Sequence, residues 1–213
     1  QMCIRDSYEV VAAEDIITPD GTVRNHKGDV VDTIITDENG IAMSCELYLG
    51  EYEVREVTAP NGMVLNPESR FVELVYAGQN VAVTETATSF ENERQKVEIS
   101  LVKSIEQNER FDIGTNGEMK NITFGLFSAE EIVSTSGTFI PADGLIEIVS
   151  LNEDGTATIK TDLPYGRYYV QEIATDSHYK LSDAKYPIIF EYVGQDTAVV
   201  KIAVNDGKAI KND

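Results

Sequence analysis

Three polar side chains in the second half of this chain stand where apolar ones belong. In VEISLVK, residues 97–103, strand alternation puts Val97, Ile99, Leu101 and Lys103 on one side. In RYYVQEI, residues 167–173, Tyr168, Val170 and Glu172 share a face, and Ile210 and Asn212 share a side at the end of the chain. A face rich in apolar residues is the one a sheet buries, and a charged group there is costly unless something meets it. If the strands bearing Lys103, Glu172 and Asn212 are neighbours in a sandwich, the three side chains converge.

Their chemistry is specific. Burial disfavours charge, so a desolvated lysine sheds its proton and a desolvated glutamate keeps its own. A neutral amine is a nucleophile. A protonated carboxyl donating to the asparagine carbonyl makes the carbonyl carbon more electrophilic. Attack by Lys103, with Glu172 shuttling the proton, expels ammonia and leaves an amide between Lys103 and Asn212. The fold supplies the proximity that makes this slow exchange feasible. Spacing equally admits a buried Lys–Glu ion pair beside a hydrogen-bonded Asn, or a Lys103 that snorkels to the sandwich edge.

The elements that must position these groups occur nearly twice. LYLGEYEVREVTAP (47–60) matches LPYGRYYVQEIATD (163–176), with Gly50, Tyr52, Val54 and Glu56 each 116 positions before Gly166, Tyr168, Val170 and Glu172. The same offset aligns YEVVAAEDI from Tyr8 with FGLFSAEEI from Phe124, and VYAGQ from Val75 with EYVGQ from Glu191. SFENE places Phe90 and Asn92 at the end of the first copy as Ile210 and Asn212 stand at the end of the second. A repeat of this size in 213 residues implies two domains, 8–94 and 95–213. Residues 1–7, QMCIRDS, match nothing in the second copy and read as a non-native leader or an irregular natural N-terminus.

Strand signals dominate both copies. SYEVVAA, VVDTII, YEVREV, RFVELVY and VAVTETAT read as strands in the first. VEISLVK, ITFGLFS, LIEIVSL, TATIKT, RYYVQEI, YPIIFEY and TAVVKIAV do so in the second. Turn signals lie at 18–21, 36–40, 59–62, 136–138 and 152–155. AEDI and SAEEI have room for a helical turn each, and no helix of ordinary length is evident. The expectation is all-β, with β-sandwich domains.

Composition narrows the partners. A net charge of −20 repels phosphate backbones and anionic lipid, which argues against nucleic acid and membrane-surface partners. No run approaches the roughly 18 apolar residues of a membrane helix, and no secretion signal opens the chain. Two cysteines, Cys3 and Cys45, make a disulfide framework improbable. TDENG and NEDG are too short for calcium loops and end in Gly as hairpin turns do. His26 and His178 have no ligand-spaced companion, and no nucleophile elbow, phosphate loop or HExxH is present. The sequence calls for no metal or cofactor.

GEYEVREVTAP, GRYYVQEIATD, the lysine-bearing VEISLVK and the closing asparagines of FENER and IKND together resemble the Cna-B type (SpaA-like) domains of Gram-positive surface adhesins and pilins. AAEDI followed by TPDG, and TDENG before the GxYxVxE strand, add to a likeness that covers residues 8–213. The resemblance implies tandem prealbumin-like, Ig-like sandwiches and a self-generated Lys–Asn isopeptide bond. Carried over, Lys103 is donor, Asn212 acceptor and Glu172 catalyst. Glu56 and Asn92 correspond in the first domain, but its donor lysine falls before residue 1. That domain is therefore expected to lack its opening strand, to form no bond of its own and to expose an unpaired sheet edge.

The resemblance also implies an extracellular, cell-wall-anchored protein of which this chain is an interior piece, its signal and wall-sorting anchor lying outside it. The first expectation is a stalk that spaces an adhesive tip from the wall, with neighbouring repeats as its partners. The alternative is a module binding host extracellular matrix protein or glycan. A sortase-polymerised pilin shaft ranks third, and an enzyme acting on an external substrate last. Apart from single-turnover self-cross-linking, no catalysis is expected.

Overall fold

The computed structural model describes residues 6–133, 137 and 139–212. By internal contacts the chain divides into two units, Gln1–Gln95 with Gly194–Ala198, and Lys96–Val193 with Val199–Asp213. Both are built of strands, and helical structure among the described residues is confined to three short 3-10 turns. No helix among them is long and apolar enough to cross a membrane.

The first unit contains β1 (Ser7–Ala12), β2 (Ile16–Ile17), β3 (Val23–Asn25), β4 (Val30–Ile35), β5 (Gly50–Thr58) and β6 (Arg70–Leu74). Its main sheet runs β4-β1-β5-β6, antiparallel throughout, with β2 and β3 forming a small hairpin. Tyr8, Val10, Tyr52 and Val54 form the heart of its core, because alternation sends them to one face.

The second unit contains β7 (Lys96–Ser104), β8 (Thr123–Ser128), β9 (Ile132–Val133), β10 (Phe139–Ile140), β11 (Leu145–Ser150), β12 (Thr156–Ile159), β13 (Gly166–Ala174), β14 (Lys185–Phe190), β15 (Val199–Ala203) and β16 (Ile210–Lys211). One sheet runs β11-β8-β13-β14. The other runs β12-β7-β15, with β16 also pairing on β7. Val97, Ile99 and Leu101 of β7 share a single core with Phe124, Leu126 and Val170 of the facing sheet. The result is a two-sheet sandwich with β7 at the centre of one layer.

The two units differ in one layer. β7 pairs antiparallel with β12 and parallel with β15 and β16, so three neighbouring segments depend on it for their hydrogen bonds. Among the described residues the first unit has no counterpart of β7. The stretch after Gly40, which follows its turn as β12 follows Gly155, forms no strand. VAVTETAT, residues 81–88, forms none either, contrary to its alternating pattern. Its propensity is real, but propensity makes a strand only when a partner accepts the backbone bonds. Among the described residues the first unit has no sheet corresponding to β12-β7-β15. Met43 is 85% exposed and Val83 60%, whereas Ala157 and Ile159 of β12 are 5% and 1% exposed.

AEDI and SAEEI form bends that enter the β2 and β9 strands, not helical turns. The turn expected at 136–138 lies outside the described residues, Gly137 excepted.

Ile99 is fully buried at the centre of β7. Ile99→Ala should therefore destabilise the second unit by about 2–5 kcal/mol, read from denaturant unfolding. A loss under about 1 kcal/mol would show that β7 does not anchor this core.

Candidate functional site

Alternation along β7 carries its inward row from Val97 to Lys103, which is only 2% exposed. On the facing sheet, β13 buries Tyr168, Val170 and Glu172 in the same way. β16 runs parallel to β7 with Ile210 opposite Lys103, so the next inward position, Asn212, arrives beside the lysine. Glu172 and Asn212 are buried with it.

The three side chains meet. Lys103 Nζ donates to Asn212 Oδ1 and lies 3.7 Å from Glu172 Oε1. Asn212 Nδ2 donates to Glu172 Oε1 at 3.0 Å and to Oε2 at 2.9 Å, with Thr175 Oγ1 at 3.3 Å. The backbone N–H of Ser182 donates to Glu172 Oε2 at 2.9 Å, so that the carboxylate is held from two sides. This differs in one respect from the expectation that Glu172 would donate to the asparagine carbonyl. The carbonyl oxygen faces the lysine and the amide nitrogen faces the glutamate. Glu172 thereby lies between the lysine amine and the asparagine amide nitrogen.

Burial pushes the Lys103 amine below its ordinary value, against the opposing pull of the Glu172 carboxylate. A larger neutral fraction makes a better nucleophile. The backbone under Lys103 is set by the turn before β12. Lys103 N–H donates to the Gly155 carbonyl at 2.8 Å, and a Cβ at Gly155 would lie 2.2 Å from the Lys103 carbonyl oxygen. Gly155 also has φ of +79°, a conformation that side chains disfavour.

The first unit builds half of this arrangement. Asn92 Nδ2 donates to Glu56 Oε1 at 2.9 Å and to Oε2 at 2.8 Å, and to the Val64 carbonyl at 3.1 Å. The Asn66 backbone N–H donates to Glu56 Oε2 at 2.6 Å, occupying the place that Ser182 has 116 residues later. Glu56 pairs with Tyr8 across the sheet where Glu172 pairs with Phe124.

The tyrosine of GxYxVxE also proves structural. Tyr52 hydroxyl donates to the Tyr48 carbonyl at 2.7 Å, and Tyr168 hydroxyl to the Pro164 carbonyl at 2.6 Å. Each ties the start of its strand to the preceding loop, and burial pushes the Tyr168 phenol up to about 12. Thr175 and Ser182 were not legible as site residues: one is a loop threonine and the other contributes only its backbone. Their sole signal was position, in the loop after each GxYxVxE strand. No cluster of three or more His, Cys, Asp or Glu able to hold a metal is present among the described residues.

A family model, that of the SpaA prealbumin-like fold domain, matches residues 16–89 and again 103–208. The chain belongs to this family. It holds two copies of the domain, and the second match opens at Lys103 itself. Similar solved structures include the Bacillus anthracis TIE protein, 20% identical with a TM-score of 0.49, over 100% of this chain and 31% of that one. A Streptococcal ancillary pilin is 19% identical with a TM-score of 0.31, over 96% of this chain and 58% of that one. The C-terminal fragment of the pilus adhesin SpaC from Lactobacillus rhamnosus GG is 13% identical with a TM-score of 0.39, over 98% and 88%. The family match carries the assignment, and these distant likenesses add nothing to it. The chain spans less than two thirds of the length of the first two. No curated protein matches it.

Two predictions follow from this geometry. Gly155→Ala keeps all three side chains of the site but crowds the Lys103 carbonyl and displaces the lysine backbone. It should slow ammonia loss when unreacted chain is refolded and followed by intact mass, and an unchanged rate would remove Gly155 from the positioning role. For pH, the lowered lysine means the folded chain binds fewer protons here than the unfolded chain, from the folded value up to the ordinary 10.5. Stability of an unreactive Asn212→Ala chain should rise with pH across that window. Ammonia loss from the parent should accelerate in the same direction, and flat profiles for both would contradict the burial effect.

Proposed function

We propose that the second SpaA-type domain closes a covalent bond between Lys103 Nζ and Asn212 Cγ, and that the chain serves as a stalk in a Gram-positive surface adhesin or pilin-like protein. The observation that carries this is the enclosed contact of Lys103, Asn212 and Glu172 at the junction of the first and last strands of the domain. The neutral amine attacks Cγ, and a C–N bond forms. Glu172 accepts the proton released by Nζ and passes it to Nδ2. The Cγ–Nδ2 bond breaks, ammonia leaves, and a neutral secondary amide remains. The step occurs once per chain, which makes it a maturation reaction and not turnover.

Strand order explains the value of the link for a stalk. The joined residues are 109 positions apart, yet β7 and β16 lie side by side. Tension entering along β7 crosses from Lys103 to Asn212, and residues 104–211 are spared. By the chain-entropy model, a cross-link of this span stabilises by about 4–5 kcal/mol. Such protection suits the proposed location, outside the cell and anchored to the wall through parts of the protein beyond this chain. Glu56 and Asn92 form the corresponding pair in the first domain. No feature of the described surface favours direct binding of host matrix or glycan over this reading.

Intact mass tests the reaction directly. The folded parent should be lighter than its sequence by one ammonia, with Lys103→Ala, Glu172→Ala and Asn212→Ala at full mass. A folded parent at full mass would leave a buried ion pair and end the proposal. Force tests the role. Pulled from its ends, Asn212→Ala should release about 35–40 nm of hidden length from residues 104–211, and the parent none of it. Release of that length by the parent would rule out the load-bearing link.

A further inference from the structure

Asn212 Nδ2 carries two hydrogens, yet three acceptors surround it: Glu172 Oε1 at 3.0 Å, Glu172 Oε2 at 2.9 Å and Thr175 Oγ1 at 3.3 Å. Two N–H groups cannot give each of three acceptors a full bond. The surplus recurs in the first domain with a different third group. There Asn92 Nδ2 meets both Glu56 oxygens and the Val64 carbonyl at 3.1 Å, whereas Ala59, 116 positions before Thr175, has no hydroxyl to offer. Two unrelated third acceptors at one nitrogen argue against an accident of loop packing.

We infer that Thr175 is a catalytic residue of the second domain, completing with Glu172 a three-point cradle for the protonated leaving nitrogen. This rests on the reaction proposed for Lys103 and Asn212, and it names a further group that acts there. When Lys103 Nζ attacks Cγ, the carbonyl electron pair moves to Oδ1 and Nδ2 becomes tetrahedral. Glu172 takes one proton from Nζ and gives it to Nδ2, which then holds three hydrogens and a positive charge. Both Glu172 oxygens and Thr175 Oγ1 now accept one hydrogen each. The carbonyl re-forms, the electron pair of the Cγ–Nδ2 bond stays with nitrogen, and ammonia leaves. The third full bond exists only once the proton has arrived, so it favours the transition state over the resting amide.

The surroundings hold Thr175 for this task. The next residue, Asp176, is buried, and its carboxylate accepts from Asn121 Nδ2 at 2.7 Å and from the His178 backbone N–H at 3.1 Å, with His178 Nδ1 at 2.7 Å. The Tyr179 hydroxyl donates to the Glu106 carbonyl at 2.7 Å. The loop after β13 is thus tied at two points to the segment between β7 and β8. A cavity of about 320 Å³, lined by Ser104, Ile105, Glu106, Lys211 and Asn212, reaches the reacting residue and gives ammonia room to depart.

The test takes unreacted full chain from denaturant, refolds it and follows intact mass with time. Thr175→Val keeps the side-chain shape and removes the acceptor, and should slow ammonia loss about 10-fold or more. Thr175→Ser keeps the oxygen and should retain most of the parent rate. Added to the unreactive Asn212→Ala chain, Thr175→Val should leave the denaturant midpoint unchanged, since no leaving nitrogen is there to hold. A parent that loses ammonia no faster than Thr175→Val overturns this inference alone. So does a Thr175→Ser chain as slow as the valine one, or a midpoint that falls with the rate. A folded parent that stays at full mass overturns the proposed function as well.

Discussion

Everything distinctive in this molecule depends on β7 lying between β12 on one side and β15 and β16 on the other. That one strand gives its neighbours their hydrogen bonds, fills the core with Val97, Ile99 and Leu101, and delivers Lys103 to the point where β16 brings in Asn212. The two units make a natural comparison. Where β7 is present there are two layers and an enclosed polar centre. Where no counterpart is described there is one ordered layer, and segments with strand propensity lie unpaired beside exposed apolar side chains. In the second unit three segments share that one strand, so their pairing depends on it together.

Much of this was legible in the sequence, and for definable reasons. Lys103 and Glu172 stood out because a period of two is rigid: a polar residue in phase with a row of apolar ones shares their face. The offset of 116 residues carried the assignment of Glu56 as the counterpart of Glu172. What escaped was non-local or anonymous. Ser182 contributes only a backbone N–H, so no side chain advertises it. Gly155 looks like any hairpin glycine until its Cα is seen against the Lys103 carbonyl. VAVTETAT has the right alternation, but its conformation is decided by a partner strand and not by itself. The orientation of the Asn212 amide, carbonyl to lysine and nitrogen to glutamate, is set by Lys103 on β7, Glu172 on β13 and Thr175 in the loop after β13, all far from it in sequence. No local pattern encodes it.

That orientation bears on how one carboxylate serves the proposed reaction. A glutamate bonded to the carbonyl oxygen would polarise it but stand far from the departing nitrogen. With both oxygens of Glu172 on Nδ2 and one of them 3.7 Å from Nζ, the carboxylate spans donor and leaving group. Polarisation of the carbonyl is left to the lysine's own N–H. The Ser182 N–H fixes the carboxylate while the proton moves, so little reorganisation is required within an enclosed site.

A buried lysine facing a buried glutamate is a doubtful source of stability by itself. Desolvating two charges costs several kcal/mol per ion, and the attraction between them often only offsets this. The proposed bond formation removes the difficulty at its origin. The lysine nitrogen becomes part of a neutral amide whose N–H still has the Glu172 carboxylate in reach, and the ammonia that leaves takes one amide nitrogen into solvent. In the proposed reaction the polar centre is costly while its groups are separate and stabilising once they are joined.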